Sequence, residues 1–369
     1  MTKGGDAPPL EEMAHPDWAA FMRIGQAHGL LPIAWTALRP FADAVGDAAE
    51  AELRLVYEAN ARRNLVMLGE LRTIVAALGE HGIRAVSWKG PVLAQRAYDD
   101  LAARQFFDLD LLVRRADLAA ALPVVQKLGF RPERSMSDHE QETYVDHQGE
   151  LELVRTSDGL WIEIHSAVMP GYYGRGLSSD AWWQRVVDVD VGRVRIPALD
   201  PVDELQSLCV HGSKHRWDRL AWILDVAMLG RTLDTAQWSE LHVAATGQGT
   251  LRMVWLGLLL AADLCAAPMP EEVLRAARGD RVAAALATSV AQTIFDQRPS
   301  RFDALLFHAR MRERGRDQAR YLLNVAFTPS GADWGTLHLP AVLFPLYAVT
   351  RPVRLAVKYG RRLVAPPRG

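Results

Sequence analysis

Two aspartates separated by a single residue interrupt an apolar stretch near the first third of the chain. Residues 106–113 read FFDLDLLV, so Asp108 and Asp110 alternate with large hydrophobic side chains. A period of two is typical of a β-strand, in which residues i and i+2 point to the same face of the sheet. The pattern predicts a strand with an apolar face and, on its other face, two neighbouring carboxylates.

Two carboxylates at this spacing repel each other, and each raises the proton affinity of the other. A divalent cation removes the repulsion, and oxygen ligands without His or Cys favour magnesium over zinc. A third acid would complete a site for phosphoryl transfer with two metal ions. Glu163 is the first candidate and Glu152 the second. The alternative is that Asp108 and Asp110 are two exposed acids on an edge strand, because D-x-D alone is a weak motif.

The segment before the aspartates has the features of a phosphate-binding turn. Residues 83–88 are apolar and partly β-branched, which predicts a strand, and a short helix is expected at 91–98. Lys89 and Gly90 lie between these two elements. A glycine at such a turn lets the backbone approach a phosphate, and the helix N-terminus offers amide donors.

Helical periodicity dominates both ends of the chain, whereas strand patterns are confined to the middle. We predict two short helices within 18–38, a long helix at 47–80, and a helix at 117–128. Three further strands are expected at 142–146, 150–156 and 160–167, the last two forming a hairpin. The predicted division is an N-terminal helical segment at 1–80, an α/β core at 81–199 and a helical C-terminal domain at 200–369.

Cysteine content and hydropathy bear on the compartment. Cys209 and Cys265 are too few for a disulfide framework or a cysteine-based zinc site. The polar N-terminus lacks the apolar region of a secretory signal, and prolines break the apolar stretches near the C-terminus. None of these stretches approaches the roughly 20 residues that span a bilayer. We therefore expect a cytoplasmic protein without a transmembrane segment.

The charge is unevenly distributed. The chain has a formal net charge of −2, which excludes a uniformly basic nucleic-acid binder. Residues 298–369, however, hold thirteen Lys and Arg against four Asp and Glu. This basic segment is a solvated face, a surface for an anionic acceptor or, as the least favoured interpretation, a membrane-contacting surface.

Four stretches together resemble a known family. They are VSWKGPVLAQRAYDDLAARQFFDLDLLVRRADLAAALPVVQKLGF at 86–130, IEIH at 162–165, HGSKHRW at 211–217 and LYAVTRPVRLAVKYG at 346–360. Their order resembles the bacterial uncharacterised nucleotidyltransferases, which belong to the DNA polymerase β-like superfamily. The resemblance covers most of the chain. It implies an α+β fold in which helices flank a mixed polymerase β-like sheet, with N-terminal helices and a mostly α-helical C-terminal domain.

The resemblance also implies roles for individual residues. Asp108 and Asp110 would be the metal-binding pair, and Glu163 the third carboxylate, either a metal ligand or the base that accepts the acceptor's proton. Gly90 would lie at the phosphate loop. The broader superfamily has Gly-Ser in this loop, whereas this chain has Lys89-Gly90-Pro91. We expect Lys89 to supply compensating positive charge.

Other polar residues are candidates because of their positions. Arg104, four residues before the first aspartate, is expected to neutralise triphosphate charge. Lys214 and His215 are expected to face a nucleotide from a helix. His211, one turn earlier on the same helix, fits either that surface or a buried hydrogen-bonded position, and no ligands for zinc accompany it. Asp225 is expected to pair with one of the basic residues at 211–219. His165 should share the face of Glu163, lining the acceptor site or forming a supporting hydrogen bond.

These features predict a metal-dependent nucleotidyltransferase that uses Mg²⁺ or Mn²⁺. The substrates would be an NTP and a hydroxyl or phosphate of a small molecule or modified peptide, with release of pyrophosphate. Two alternatives remain. One is a nucleotide- or partner-binding protein whose catalytic site has decayed, suggested by the missing loop serine. The other is a transferase of toxin–antitoxin type that acts on tRNA or protein. RNA is a less favoured partner, and DNA is not expected.

Overall fold

The computed structural model describes residues 17–168, 180–295, 301–328 and 346–364. The strands are β1 (Val86–Trp88), β2 (Asp108–Leu112), β3 (Phe130–Pro132), β4 (Glu150–Arg155), β5 (Trp161–His165), β6 (Val187–Val191) and β7 (Val194–Ala198). They form a seven-stranded sheet in the order β3-β4-β5-β2-β1-β7-β6. Strand β2 is parallel to β5, and β1 is parallel to β7, whereas the other neighbours are antiparallel.

Helices precede, flank and follow this sheet. Up to the sheet's last strand they are α1 (Trp18–His28), α2 (Leu31–Leu38), α3 (Ala42–Val45), α4 (Asp47–Glu80), α5 (Gly90–Tyr98), α6 (Leu118–Lys127), α7 (Asp138–Gln148) and α8 (Asp180–Gln184). After the sheet come α9 (Pro201–Lys214), α10 (Leu220–Gly230), α11 (Thr235–Gln248), α12 (Leu251–Cys265), α13 (Glu271–Gly279), α14 (Arg281–Thr293), α15 (Arg301–Arg310), α16 (Gly315–Phe327) and α17 (Leu346–Val364).

One face of the sheet is buried against α4 and α6. Leu109 and Leu111 of β2 lie on this face, together with Ile164 of β5, and pack in one core with Leu71 and Ile74 of α4. All five side chains are almost fully buried. Because side chains alternate along a strand, this arrangement places the aspartates of β2 on the opposite face.

The opposite face is covered by helices that follow the sheet. Trp88 of β1 packs in the core formed mainly by α9, α10 and α12, and its Nε1 donates a hydrogen bond to Oγ of Ser207 at 2.8 Å. Trp217 is fully buried in the same core. A Cβ atom at Gly212 or Gly257 would lie only 2.4 or 2.8 Å from its nearest neighbouring atom, and Trp217 crowds both positions. These glycines thus leave the space that the indole occupies.

Much of the predicted secondary structure is confirmed. The class is α+β, with a mixed sheet flanked by helices, and the long helix α4 has the predicted bounds. Helices α1 and α2 occupy 18–38, and β4 and β5 form the predicted hairpin. The division into domains at residues 80 and 199 remains a prediction.

The strand predicted at 142–146 is wrong, because this segment lies inside α7. The Ser137 side chain accepts a hydrogen bond from the backbone of Glu140, whose carboxylate in turn accepts one from the Ser137 backbone. This capping box starts a helix that runs through the segment. Strand β3 and the β6–β7 hairpin were not predicted.

The C-terminal region shows where some of its basic residues lie. Arg312 is buried, with its guanidinium carbon 3.9 Å from the ring centroid of Tyr321. Arg316 and Arg320 are exposed. The prolines near the C-terminus at 340 and 345 fall outside the described residues. Among the described helices, none combines the length and apolar character that a membrane crossing requires.

Candidate active site

The carboxylates meet where β2 and β5 lie side by side. The parallel register places Asp110 opposite Glu163 and Leu112 opposite His165. Asp108 is on the same strand as Asp110 and two residues before it, so it shares the same face. The hydrophobic residues between them are held in the core below the sheet. The apolar alternation therefore fixes which way all of these polar side chains point.

The turn after β1 brings a positive charge to this face. Lys89 and Gly90 both have positive φ, at 60° and 49°, so the chain turns sharply between β1 and α5. Such a conformation is unusual for a lysine and easy for a glycine. The Lys89 side chain is buried, with Nζ 3.3 Å from Oδ1 of Asp110 and 3.9 Å from the ring centroid of Trp88.

His165 lies between two of the carboxylates. Its Nε2 is 3.1 Å from Oδ1 of Asp110 and 3.2 Å from Oε2 of Glu163, while Nδ1 is 3.5 Å from Oε2 of Glu150. Its ring packs edge-on against Trp88, with the centroids 4.9 Å apart. Burial opposes its protonation, but the carboxylates outweigh burial and raise the pKa of His165 to about 9.

The surroundings of Asp108, Asp110 and Glu163 shift the pKa values of these three carboxyl groups in different directions. Burial, followed by the charge of Asp110, raises the pKa of Asp108 to about 6. Burial also opposes ionisation of Asp110, but Lys89 and His165 overcome it and hold its pKa well below the usual value. For Glu163, the hydrogen bond from His165 outweighs burial and lowers the pKa. Of the three carboxylates, Asp108 is the one that binds a proton most readily.

Three neighbouring side chains have the geometry of a metal site, and one of them, His165, was not predicted as a ligand. Asp110, Glu163 and His165 offer ligand atoms that all lie within 4.8 Å of one another. Asp108 lines the same cavity, two residues before Asp110 on the same strand. Neighbouring carboxylate oxygens that line one cavity are the type of ligand that a divalent cation such as Mg²⁺ or Mn²⁺ prefers.

These residues line one cavity of about 550 Å³, a volume within the usual range for small-molecule sites. The sheet supplies the carboxylates, including Glu150 and Glu152 of β4. The end of α9 and the start of α10 form another side. None of the described side chains between residues 310 and 320 lines this cavity.

Arg104 lines the cavity, but its guanidinium is committed to a neighbouring carboxylate. Nε and Nη2 donate hydrogen bonds to the two carboxylate oxygens of Asp225 at 2.8 and 2.9 Å, and both residues are buried. The Tyr98 hydroxyl donates to the same carboxylate at 2.7 Å. Two asparagines of α4, Asn60 and Asn64, donate to the Arg104 carbonyl oxygen at 3.0 and 2.9 Å. Asp225 was expected to pair with the basic residues around 211–219, so that expectation was wrong.

Lys214 and His215 also line the cavity, as expected of residues that face a nucleotide. Nζ of Lys214 lies 3.2 Å from Oε2 of Glu150. The His215 ring is 4.6 Å from the ring of His211, centroid to centroid. The structure thus brings all of the predicted site residues, apart from Gly90, to the walls of one cavity. Gly90 begins α5, directly after Lys89.

Comparison with known families gives one match that covers most of the chain. Residues 14–266 match the family described as uncharacterised nucleotidyltransferase. The chain belongs to this family. The matched region includes the turn at Lys89 and Gly90, the strands with Asp108, Asp110 and Glu163, and the helices on the opposite side of the cavity.

Other comparisons add less. A search of curated proteins gives no match. One solved structure with similarity is the antibiotic-resistance factor ANT(2'')-Ia, whose reported solution structure has substrate-regulated conformation dynamics. The two chains are 11% identical, the TM-score is 0.35, and the match covers 50% of this chain and 93% of the other.

Two features of the site were not predicted from the sequence. His165 was expected to line the acceptor site or to form a supporting hydrogen bond, and it does contact Asp110, but its position between Asp110 and Glu163 was not predicted. No role was predicted for Glu150, which contacts both His165 and Lys214. The alternation of acids along β4 was a usable indication, since Glu150 and Glu152 share one face.

Proposed function

We propose that the protein is a magnesium-dependent nucleotidyltransferase that moves an NMP from an NTP to a hydroxyl or phosphate acceptor. The observation that supports this most is the placement of Asp110 beside Glu163 on parallel strands, with Asp108 on the same face. Lys89 adds a positive charge next to these carboxylates. Membership of the nucleotidyltransferase family agrees with this proposal.

Asp108, Asp110 and Glu163 would hold the metal, and His165 would orient two of them. A bound divalent cation supplies Lewis-acid polarisation of phosphoryl oxygens and neutralises developing charge. Glu163 was predicted as either a ligand or a base. Because the contact with His165 lowers the pKa of Glu163, it is a weak proton acceptor, which supports the ligand role.

In the proposed reaction, the acceptor oxygen forms a bond to the α-phosphorus of the NTP. The bond from that phosphorus to the bridging oxygen breaks, and pyrophosphate leaves. The proton of an acceptor hydroxyl passes to a cavity carboxylate. Lys89 is placed to attract the phosphates, in the loop that lacks a serine.

The proposed acceptor is a small molecule or a modified peptide. The cavity of about 550 Å³ has room for a nucleotide and part of an acceptor of this size. It is lined on one side by the carboxylates and on the other by α9 and α10. A decayed nucleotide-binding protein would share this shape, so the distinction requires a measurement of turnover.

The test is release of pyrophosphate by the full chain with Mg²⁺ and each of the four NTPs. The acceptor probes are sugars, sugar phosphates, serine-containing peptides and total tRNA, and labelling of the protein itself is followed with α-³²P-labelled NTP. We expect at least one NTP to support turnover, which Asp108→Asn/Asp110→Asn reduces by about 10³-fold or more, or about 4 kcal/mol of transition-state stabilisation.

Asp190→Asn is the matched control, because Asp190 lies on β6 of the same sheet and its side chain is 70% exposed. It should keep full turnover. Nucleotide binding without pyrophosphate release in the presence of any of the acceptor probes would favour the decayed-site alternative. Equal turnover in the double variant and in Asp190→Asn would reject the proposed function.

A further inference from the structure

One wall of the cavity is aromatic and differs from the charged wall opposite. It consists of Trp222 at the start of α10 and of His211 and His215 near the end of α9, and we call it the aromatic wall. The His211 and His215 ring centroids lie 5.1 and 5.2 Å from that of Trp222. All three residues line the cavity and are half-buried.

The two histidines of the aromatic wall are uncharged at neutral pH. Burial, followed by the charge of Lys214, lowers the pKa of His215 to about 3. Burial, followed by the charge of Lys89, lowers the pKa of His211 well below its usual value. Their rings therefore offer a π surface and nitrogen atoms that can donate or accept a hydrogen bond, without net charge.

The aromatic wall adjoins the carboxylates through Trp88. The Trp88 ring packs edge-on against His165 on one side and against His211 on the other, with centroid distances of 4.9 and 5.8 Å. A row of rings thus leads from the candidate metal ligands to Trp222. A molecule with charged phosphates at one end and a planar uncharged ring at the other matches this division of the cavity.

We infer that the aromatic wall binds the base of the nucleotide, with the base stacked on Trp222 and its polar edge facing the histidines. This inference rests on the proposed function, because it assigns a position to the NTP of that reaction. Stacking on aromatic side chains suits any base, since every base has a π face. Arg219 adds a cation on the same side, with its guanidinium carbon 5.7 Å from the Trp222 centroid.

A metal site is a poor alternative for the aromatic wall. Among the described residues, the group that can hold a metal is Asp110, Glu163 and His165, which does not include His211 or His215. A sugar ring of the acceptor is a closer competitor, because it also packs on indole. If the aromatic wall bound a sugar of the acceptor instead of the base, Trp222→Ala would leave the affinity for NTP unchanged.

The test compares NTP with inorganic tripolyphosphate, which carries the charge but lacks the base. Dissociation constants are measured by calorimetry with Mg²⁺ for the full chain and for Trp222→Ala, Trp222→Phe and Trp18→Ala. We expect Trp222→Ala to weaken NTP binding by about 10- to 100-fold and to leave tripolyphosphate binding within about twofold. Trp222→Phe should recover most of the affinity.

Trp18→Ala controls for removal of a partly buried indole, since Trp18 packs against Phe21 on α1 and does not line the cavity. Unchanged NTP affinity in Trp222→Ala would overturn the inference, as would an equal loss of affinity for NTP and for tripolyphosphate. In each of these cases the wild type still binds NTP, so the proposed function survives. Failure of the wild type to bind any NTP would reject both.

Discussion

Arg104 and Asp225 form a buried, two-pronged ion pair between residues that are 121 positions apart in the sequence. The pair connects the loop before β2 with α10, so it joins the strand that carries the aspartates to the helix that carries Trp222. Tyr98 donates a third hydrogen bond to the same carboxylate. The geometry supports a positioning role for Arg104, in addition to the predicted contact with triphosphate.

Replacing only Arg104 should destabilise the fold more than replacing Arg104 and Asp225 together. Arg104→Met leaves the Asp225 charge buried without its cation, so we expect the free energy of unfolding to fall by about 3–5 kcal/mol. Arg104→Met/Asp225→Asn removes both charges and keeps an acceptor for Tyr98, and it should recover at least half of the loss. Urea unfolding of the two variants measures this. A single variant as stable as the wild type would contradict the interpretation.

Gly212→Ala should be destabilising because its Cβ would lie 2.4 Å from the Trp217 ring. The indole is fully buried and cannot move without disturbing the core, so overpacking is expected to cost about 1–3 kcal/mol or more. Gly69→Ala on α4 is the matched control, since a Cβ added there would have no neighbouring atom within 4 Å. That change should be neutral or stabilise by up to about 1 kcal/mol. The melting temperature of Gly212→Ala should therefore fall below that of the wild type, whereas that of Gly69→Ala should stay the same or rise.

Much of the site was predictable because it depends on short-range alternation. The D-L-D-L-L pattern places both aspartates on one face by strand geometry alone. The I-E-I-H segment does the same for Glu163 and His165. What alternation cannot provide is which strands are neighbours, and hence that Asp110 lies opposite Glu163. The pairing of Arg104 with Asp225 is also a tertiary contact without a local pattern.

The errors in secondary structure have local causes. The apolar and β-branched residues of 142–146 favour a strand, but the S-x-x-E capping box at Ser137 and Glu140 indicates a helix start. The β6–β7 hairpin was missed despite the alternation in VDVDV and the turn at Gly192, which has a φ of 60°. Both indications are present in the sequence. In these two segments the cap and turn residues predict the observed structure better than the short apolar runs do.

Lys89→Gln should change metal and phosphate binding in opposite directions. Nζ of Lys89 lies 3.3 Å from Asp110, so it partly neutralises the carboxylates. Without it, we expect Mn²⁺ to bind about threefold to tenfold more tightly and tripolyphosphate with Mg²⁺ to bind more weakly by a similar factor, or about 1 kcal/mol each. Titration followed by Mn²⁺ paramagnetic resonance and by calorimetry measures the two effects. Lys127→Gln, at an exposed site on α6, is the control. Movement of both affinities in the same direction would contradict this role.

His308 should make the fold sensitive to acid. Nε2 lies 3.1 Å from the carbonyl oxygen of Lys214, which can only accept, so Nε2 carries the proton. Nδ1 then accepts from the Tyr321 hydroxyl, at 3.1 Å. Burial, followed by the charge of Arg312, lowers the pKa of His308 to about 3. The folded protein therefore holds this imidazole neutral, whereas the unfolded chain protonates it below about pH 6.5.

Because the unfolded chain binds this proton more readily, the stabilising contribution is complete above about pH 6.5 and declines as the pH falls towards 3. At pH 5 the loss from this group is about 2 kcal/mol. His308→Gln is the matched variant, since its amide can donate to the Lys214 carbonyl and accept from Tyr321 without titrating. We expect the wild type to lose about 2 kcal/mol more than His308→Gln between pH 7 and pH 5, measured by urea unfolding. Identical pH dependence of the two proteins would show that His308 is not the group held neutral.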